Sequence, residues 1–283
     1  MPKIHPMAVV ETGADLADDV IVGPFAFVGR DVRLGKGCIV HPHAHIEGRT
    51  TAGENNEFYP NAVVGCVSQD LKYRGGNCTV VIGNGNRFRE ACTVHIGTEE
   101  GGGATIVGDD NLLMVNVHVA HDCVIGDHNI LGNNSMLAGH VKVEDHVVIS
   151  GAVAVHHFVT FGKHSFTGGV SGVTRDVPPF MIVDGHPFVV RGVNRIGLNR
   201  RGYTDDRLEA LRTAYRLLFS DTTPLITQAV ELERLYPGQP DIQDLLAFMR
   251  ASIAGKFGRA RENLRGKMLR TDEEEVPQHV SGP

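Results

Sequence analysis

A chain of 283 residues with 34 glycines and no tryptophan has room for one large domain or two ordinary ones and favours a turn-rich architecture. Its formal net charge of -6, with 21% charged residues, excludes a globally basic surface for nucleic acid, so any anion site must be local. No window approaches the roughly 18 consecutive apolar residues of a membrane span, and five cysteines without CxxC spacing argue against both a disulfide framework and a thiolate zinc site.

The N-terminal stretch MPKIHPMAVVETG has no basic segment followed by an apolar one, which points to a cytoplasmic protein with reduced thiols. From Ile4, a step of six lands on Val10, Leu16, Val22, Val28, Leu34, Val40, Ile46, Ala52, Phe58 and Val64, all apolar. The step resumes at Ile82, Phe88 and Val94, and again from Val107 through Leu113, Val119, Ile125, Leu131, Leu137, Val143, Ile149, Val155 and Phe161 to Thr167 and Val173. Only Thr167 breaks the aliphatic rule. Four positions after an anchor the residue is usually small or Asn, as at Ala26, Cys38, Ala44, Cys92, Cys123, Asn129 and Ser135. These cysteines therefore read as core filling.

A period of six fits neither a helix nor an alternating sheet of such length, and fixed-period self-similarity marks a solenoid. Hexads build a parallel β-helix, in which three hexads close a triangular coil and coils stack at about 4.8 Å. The expected β-helix spans 1–190, with polar, glycine-bearing loops at 69–81 and 97–106 thrown out from it. Pro178-Pro179 ends the repeat. A small α-helical domain is expected over 191–270, where Thr204 and Asp241 read as N-caps, and 271–283 has too little to bury to be ordered.

Stepping by one coil of 18 residues puts His121, Gly139 and His157 in one column and Asp122, His140 and Phe158 in the next. All six follow an anchor by two or three residues, at a corner where side chains should face outward. The repeat itself does not require histidine there. With His118 and His156 close by, the cluster is suited either to a metal held by imidazoles or to general-base acyl transfer. Gly139 favours the second, because a side chain would obstruct a substrate along the column and its N–H is free to meet a developing oxyanion.

The motifs QDLKY (69–73), RE-x-x-TVH (89–95), DNLLM (110–114), AHDC (120–123), LAGHV (137–141), AVHHF (154–158) and GVN followed by RRG (192–202) resemble the cytosolic UDP-N-acetylglucosamine O-acyltransferases that begin lipid A biosynthesis. Together with the helical end they cover nearly the whole chain. The resemblance implies a left-handed β-helix and a homotrimer with its site between neighbouring solenoids, which would let Lys72 and His121 come from different subunits. It implies transfer of a 3-hydroxyacyl chain from acyl carrier protein to the glucosamine 3-position of UDP-N-acetylglucosamine, with no cofactor and no catalytic metal. His121 would be the general base, Asp122 its carboxylate partner and the Gly139 N–H the oxyanion donor. Asp70, Lys72, His118, His140, His156 and His157 would surround the sugar, and Asn194, Arg200 and Arg201 would hold the nucleotide, since guanidinium forks match diphosphate oxygens. Gly169, on a later coil, would leave the acyl groove open or simply serve a tight corner.

The chain departs from that pattern at His157, where the family usually has glutamine, and at Ile196, where well-known members commonly carry an acid. Adjacent corner residues need not point the same way, so Asp122 could instead pair with His140. The basic run Lys256, Arg259, Arg261, Arg265, Lys267 and Arg270, with Glu262 its only acid, offers a docking field for an acidic carrier protein or a solvated helix face. Competing readings are the N-acyltransferase acting later in the same pathway, a γ-class carbonic anhydrase-like metal enzyme and an inactive hexapeptide scaffold.

Overall fold

A computed structural model describes residues 1–220 and 224–265. Among the described residues, short strands, most of two residues and one per hexad, stack into sheets of eleven, nine and eight strands, parallel except for the last pair of the largest sheet. From Val22 onward the anchors point inward and are almost completely buried, from Val22, Val28 and Leu34 to Phe161 and Val173. Each such aliphatic side chain contributes about 1.5–3 kcal/mol of transfer free energy, so the core is a continuous column. The slot four residues after an anchor also faces inward. There Asn56, Asn86, Asn111 and Asn129 form a ladder whose side-chain oxygens accept successive backbone N–H groups at 2.7–3.0 Å. Neighbouring coils supply partners to the amide nitrogens of Asn56, Asn86 and Asn111, whereas Asn129 Nδ2 has none among the described residues.

The corner residue three after an anchor adopts the left-handed conformation, with φ of +59° at Asp122, +63° at His140 and +64° at Phe158. Asn, Asp and His favour that region more than most side chains. Their repeated presence at corners is thus partly a backbone requirement.

The expected loops are shorter than 69–81 and 97–106. Thr79–Ile82 and Ala104–Val107 are strands, paired with each other in register, because their alternating burial lets Val80, Ile82, Thr105 and Val107 close the core. Nor does the sheet stop at the prolines. Met181–Gly185 adds in parallel beside Phe166–Thr167, and Phe188–Val193 folds back on it as an antiparallel strand.

Among the described residues four α-helices follow: α1 (Arg195–Arg200), α2 (Asp205–Ser220), α3 (Leu225–Leu235) and α4 (Pro240–Ala254). They close a second core of Phe180, Met181, Leu198, Leu211, Leu232 and Leu245, continuous in sequence with the end of the solenoid. Thr204 directly precedes α2. Asp241 is not the N-cap of α4, because Gln239 takes that position and accepts from the Ile242 N–H, with Pro240 as the first helical residue. Asp241 is instead buried in the first turn, held by both arms of Arg207 at 2.7 and 2.8 Å.

The basic C-terminal run does not present a row of free charges. Arg259 is buried and paired with Glu262 at 2.8 Å, and Arg261 donates to the His140 carbonyl at 2.6 Å. Arg265 pairs with Glu262 at 3.3 Å. These arginines pin residues 259–265 onto the solenoid; Lys267, Arg270 and the segment 271–283 lie outside the described residues. Among the described residues no helix is long and apolar enough to cross a membrane.

Candidate active site

His121 and Asp122 occupy the corner between strand His118–Val119 of the nine-stranded sheet and strand Val124–Ile125 of the eight-stranded one. Their side chains leave the solenoid core, as expected, yet they are not exposed: His121, Asp122 and His140 are all at least nine-tenths buried. Residues 97–103 close over them from one side, and residues 261–265 from the other. His121 Nδ1 lies 2.8 Å from Asp122 Oδ2, whereas His140 Nε2 is 3.9 Å from the same oxygen, so the carboxylate pairs with its sequence neighbour. With Nδ1 donating to a carboxylate, Nε2 is left with the lone pair.

Thr98 secures this carboxylate. Its N–H donates to Asp122 Oδ1 at 2.9 Å and its hydroxyl to Oδ2 at 2.6 Å, while the Asp122 N–H donates to Thr105 Oγ1 at 2.9 Å. Gly101 lets the loop approach, since a Cβ there would collide with the Asp122 carboxyl group. Thr98, Gly101 and Thr105 were not anticipated from the sequence. The only signal was their place in or beside the glycine-rich segment GTEEGGGATI.

His140 stands edge-on to His121 with ring centroids 5.1 Å apart and stacks on Phe158 at 4.5 Å, and the Arg265 guanidinium lies 5.2 Å above Phe158. Burial is the largest influence on His140 and lowers its pKa to about 4, against the opposing pull of Asp122. It is neutral at neutral pH. His118 bonds Thr93 Oγ1 at 2.7 Å and is also pushed down, first by burial and then by His121.

Gly139 sits beneath the His121 ring, and a Cβ there would lie 2.5 Å from Nε2. The glycine is therefore needed to seat the His121 ring. Its N–H has no partner among the described residues. That vacancy is a property of the corner, since the equivalent slot elsewhere holds Pro24, Pro42 and Pro60.

The cleft of about 190 Å³ in front of His121 is lined by Asp70, Lys72, Thr98, His140, His157 and Arg265, among others. Asp70 Oδ2 is 3.8 Å from His121 Nε2, and Lys72 Nζ is 3.9 Å from Glu100. Lys72 and His121 thus both line this cleft of a single chain. His156 lies at the edge, its Nδ1 3.1 Å from the His157 carbonyl.

Asn194, Arg200 and Arg201 are elsewhere. Asn194 is buried as the N-cap of α1, accepting from Gly197 and donating to the His164 carbonyl at 2.9 Å; Arg200 ends that helix and Arg201 is its C-cap, both exposed. His164 marks the corner between strands Thr160–Phe161 and Phe166–Thr167, a different corner from that of His121. Gly169 lies on the third corner, over Gly151. Its φ is not left-handed, and a Cβ would meet its nearest neighbour, the Gly151 carbonyl oxygen, at 3.4 Å. The tight-corner explanation therefore fails for it; Val170, at φ +58°, takes the left-handed position instead.

Comparison with known proteins converges on one family. Residues 176–256 match the family profile described as UDP-N-acetylglucosamine O-acyltransferase, domain 2, and residues 104–139 match the bacterial transferase hexapeptide profile of six repeats. Among solved structures, LpxA from Acinetobacter baumannii is 39% identical with a TM-score of 0.83, over 86% of this chain and 95% of that one. The UDP-N-acetylglucosamine acyltransferase LpxA from Bacteroides fragilis is 34% identical with a TM-score of 0.84, over 87% and 96%. The UDP-N-acetylglucosamine O-acyltransferase of Moraxella catarrhalis is 39% identical with a TM-score of 0.82, over 86% and 95%. The shared architecture is the left-handed parallel β-helix with helices at its C-terminal end.

Proposed function

The chain belongs to the UDP-N-acetylglucosamine O-acyltransferase family, and on that premise we propose how its own residues carry the reaction. It is an acyltransferase acting on UDP-N-acetylglucosamine. The proposed donor is a 3-hydroxyacyl thioester of acyl carrier protein, the acceptor the glucosamine 3-hydroxyl, and the step the first of lipid A assembly.

In this reading His121 Nε2 takes the proton of the 3-hydroxyl as that oxygen attacks the thioester carbonyl. Asp122 holds Nδ1–H and stabilises the imidazolium that forms, and Thr98 keeps the carboxylate aimed. The Gly139 N–H donates to the tetrahedral oxyanion. Collapse breaks the C–S bond, forms the ester, and returns the proton from His121 to the departing thiolate. No acyl-enzyme is required. A neutral His140 adds no second positive charge beside the imidazolium, and its lowered pKa supports that role. Asp70, Lys72, His118, His156 and His157 would position the sugar.

The single observation that carries this reading is the relay from Thr98 through Asp122 to His121 Nδ1, which leaves Nε2 facing a cleft. His121, Asp122 and His140 also place possible ligand atoms within 4.8 Å of one another, the geometry a metal would use. Both Asp122 oxygens, however, already accept protein hydrogen bonds, which favours the base.

Because Asn194, Arg200 and Arg201 sit on a different corner from His121, we propose that a neighbouring copy supplies them in a homotrimer. A neighbour would likewise present Gly169 to the acyl groove. Incubation with UDP-N-acetylglucosamine and 3-hydroxyacyl carrier protein should yield a nucleotide sugar heavier by one acyl group. Absence of transfer, or a covalent acyl-protein in the intact mass spectrum, would overturn the mechanism.

A further inference from the structure

On the outer side of the nine-stranded sheet, three coils before His118, side chains of three different chemistries converge. His45 (strand His45–Ile46) has Nε2 3.2 Å from Oε2 of Glu47, and Cys66 (strand Val63–Cys66) completes the group. One possible ligand atom from each lies within 4.8 Å of the other two, and all three side chains are half-buried. The His45 ring is stacked on Phe27, with centroids 4.6 Å apart.

Cys66 reaches this face through a local irregularity. Strand pairing slips between Val64 and Cys66, and Gly65 between them has φ +89°. A Cβ on Gly65 would collide with the Glu47 carbonyl and the Thr50 hydroxyl. A bulge re-aims the residue that follows it, here directing the thiol onto the Glu47 carboxylate. The hexad does not need histidine at 45, since the equivalent outward slot on this sheet holds Val9, Phe27 and Val63.

We propose that His45, Glu47 and Cys66 form a binding site for a zinc-class divalent cation, separate from the catalytic cleft. Zinc bonds imidazole nitrogen, thiolate sulfur and carboxylate oxygen at about 2.0–2.3 Å, which suits ligand atoms at this mutual spacing, and three protein ligands leave a fourth position for water. Thiolate and imidazole together select zinc-like ions over magnesium or calcium. Coordination breaks the S–H bond, forms an S–metal bond and releases the proton to solvent.

Cobalt is the probe, because a thiolate-to-cobalt charge-transfer band reports sulfur ligation directly. The chelator-treated full chain should bind Co²⁺ stoichiometrically with that band, and Zn²⁺ should bleach it. Cys66→Ser should abolish the band, and Glu47→Gln should weaken binding by about tenfold or more, while His140→Gln leaves the band in place. Absence of the band, or its survival in Cys66→Ser, would overturn the proposal. If circular dichroism shows Cys66→Ser misfolded, Glu47→Gln decides alone: unchanged cobalt affinity in that variant rejects the site.

Discussion

Replacing Gly139 by alanine displaces the proposed base while leaving its imidazole unmutated. The added Cβ would stand 2.5 Å from His121 Nε2, where ordinary contact begins at 3.4 Å, a shortfall of about 0.9 Å (3.4 − 2.5). The backbone can accept the change, because Gly139 is not in the left-handed region. The ring must therefore give way, and its 2.8 Å bond to Asp122 is what it stands to lose. A displacement near 1 Å at a reacting group costs on the order of 10²-fold in rate. Gly139→Ala should thus lower kcat by about 10²-fold, with KM for the nucleotide sugar within about threefold and melting close to wild type. In a His121→Ala background the same change should cost little more, since the two act through one ring. A folded Gly139→Ala enzyme with kcat within about threefold of wild type would refute the steric argument. A large further loss in the double variant would show that the added Cβ acts on something other than the His121 ring.

Thr98→Val removes a 2.6 Å hydroxyl bond to a buried carboxylate; such charge-assisted bonds are worth about 1.5–3 kcal/mol. Its kcat should fall by roughly 10- to 100-fold, and an unchanged kcat would detach Thr98 from the relay. Burial lowers the pKa of His140 and His95 from 6.5 to about 4, so the unfolded chain binds more protons between those values. Stability is fully present above about pH 6.5 and lost as pH falls towards 4; the melting temperature should drop across that window, less steeply in His140→Asn. Gly169→Met should fold normally, since its Cβ would make only ordinary contact with the Gly151 carbonyl oxygen. Acting from a neighbouring subunit, it should favour shorter donors by about two orders of magnitude if four methylenes are excluded at about 0.8 kcal/mol each. Competing donors of different length measure this, and an unchanged preference would remove Gly169 from the groove.

The solenoid was legible because its signal repeats: an anchor every sixth residue fixes which side chains enter the core, and the 18-residue coil fixes which corners stack. That arithmetic placed His121, Gly139 and His157 in one column and Asp122, His140 and Phe158 in the next, as found. What it could not give was contact across irregular segments. Thr98 reaches Asp122 only because a loop returns over the corner, and loop paths are not periodic. Arg259 and Arg261 read as free charge along the sequence, yet their partners Glu262 and the His140 carbonyl become visible only once the chain folds back. Local choice also misled at Asp241, a good cap by type but displaced by Gln239 and Pro240. The function rested on motifs, because a hexad specifies a scaffold and not a substrate.

If His121 is the general base for direct acyl transfer, His121→Ala removes the proton acceptor and leaves the other nucleotide-sugar contacts in place. Single-turnover transfer and calorimetric binding of UDP-N-acetylglucosamine should be measured on the same preparation. The rate should fall by about 10²–10⁴, the usual worth of a general base, while nucleotide-sugar affinity stays within about tenfold. A near-native rate in the folded variant would contradict the assignment of His121.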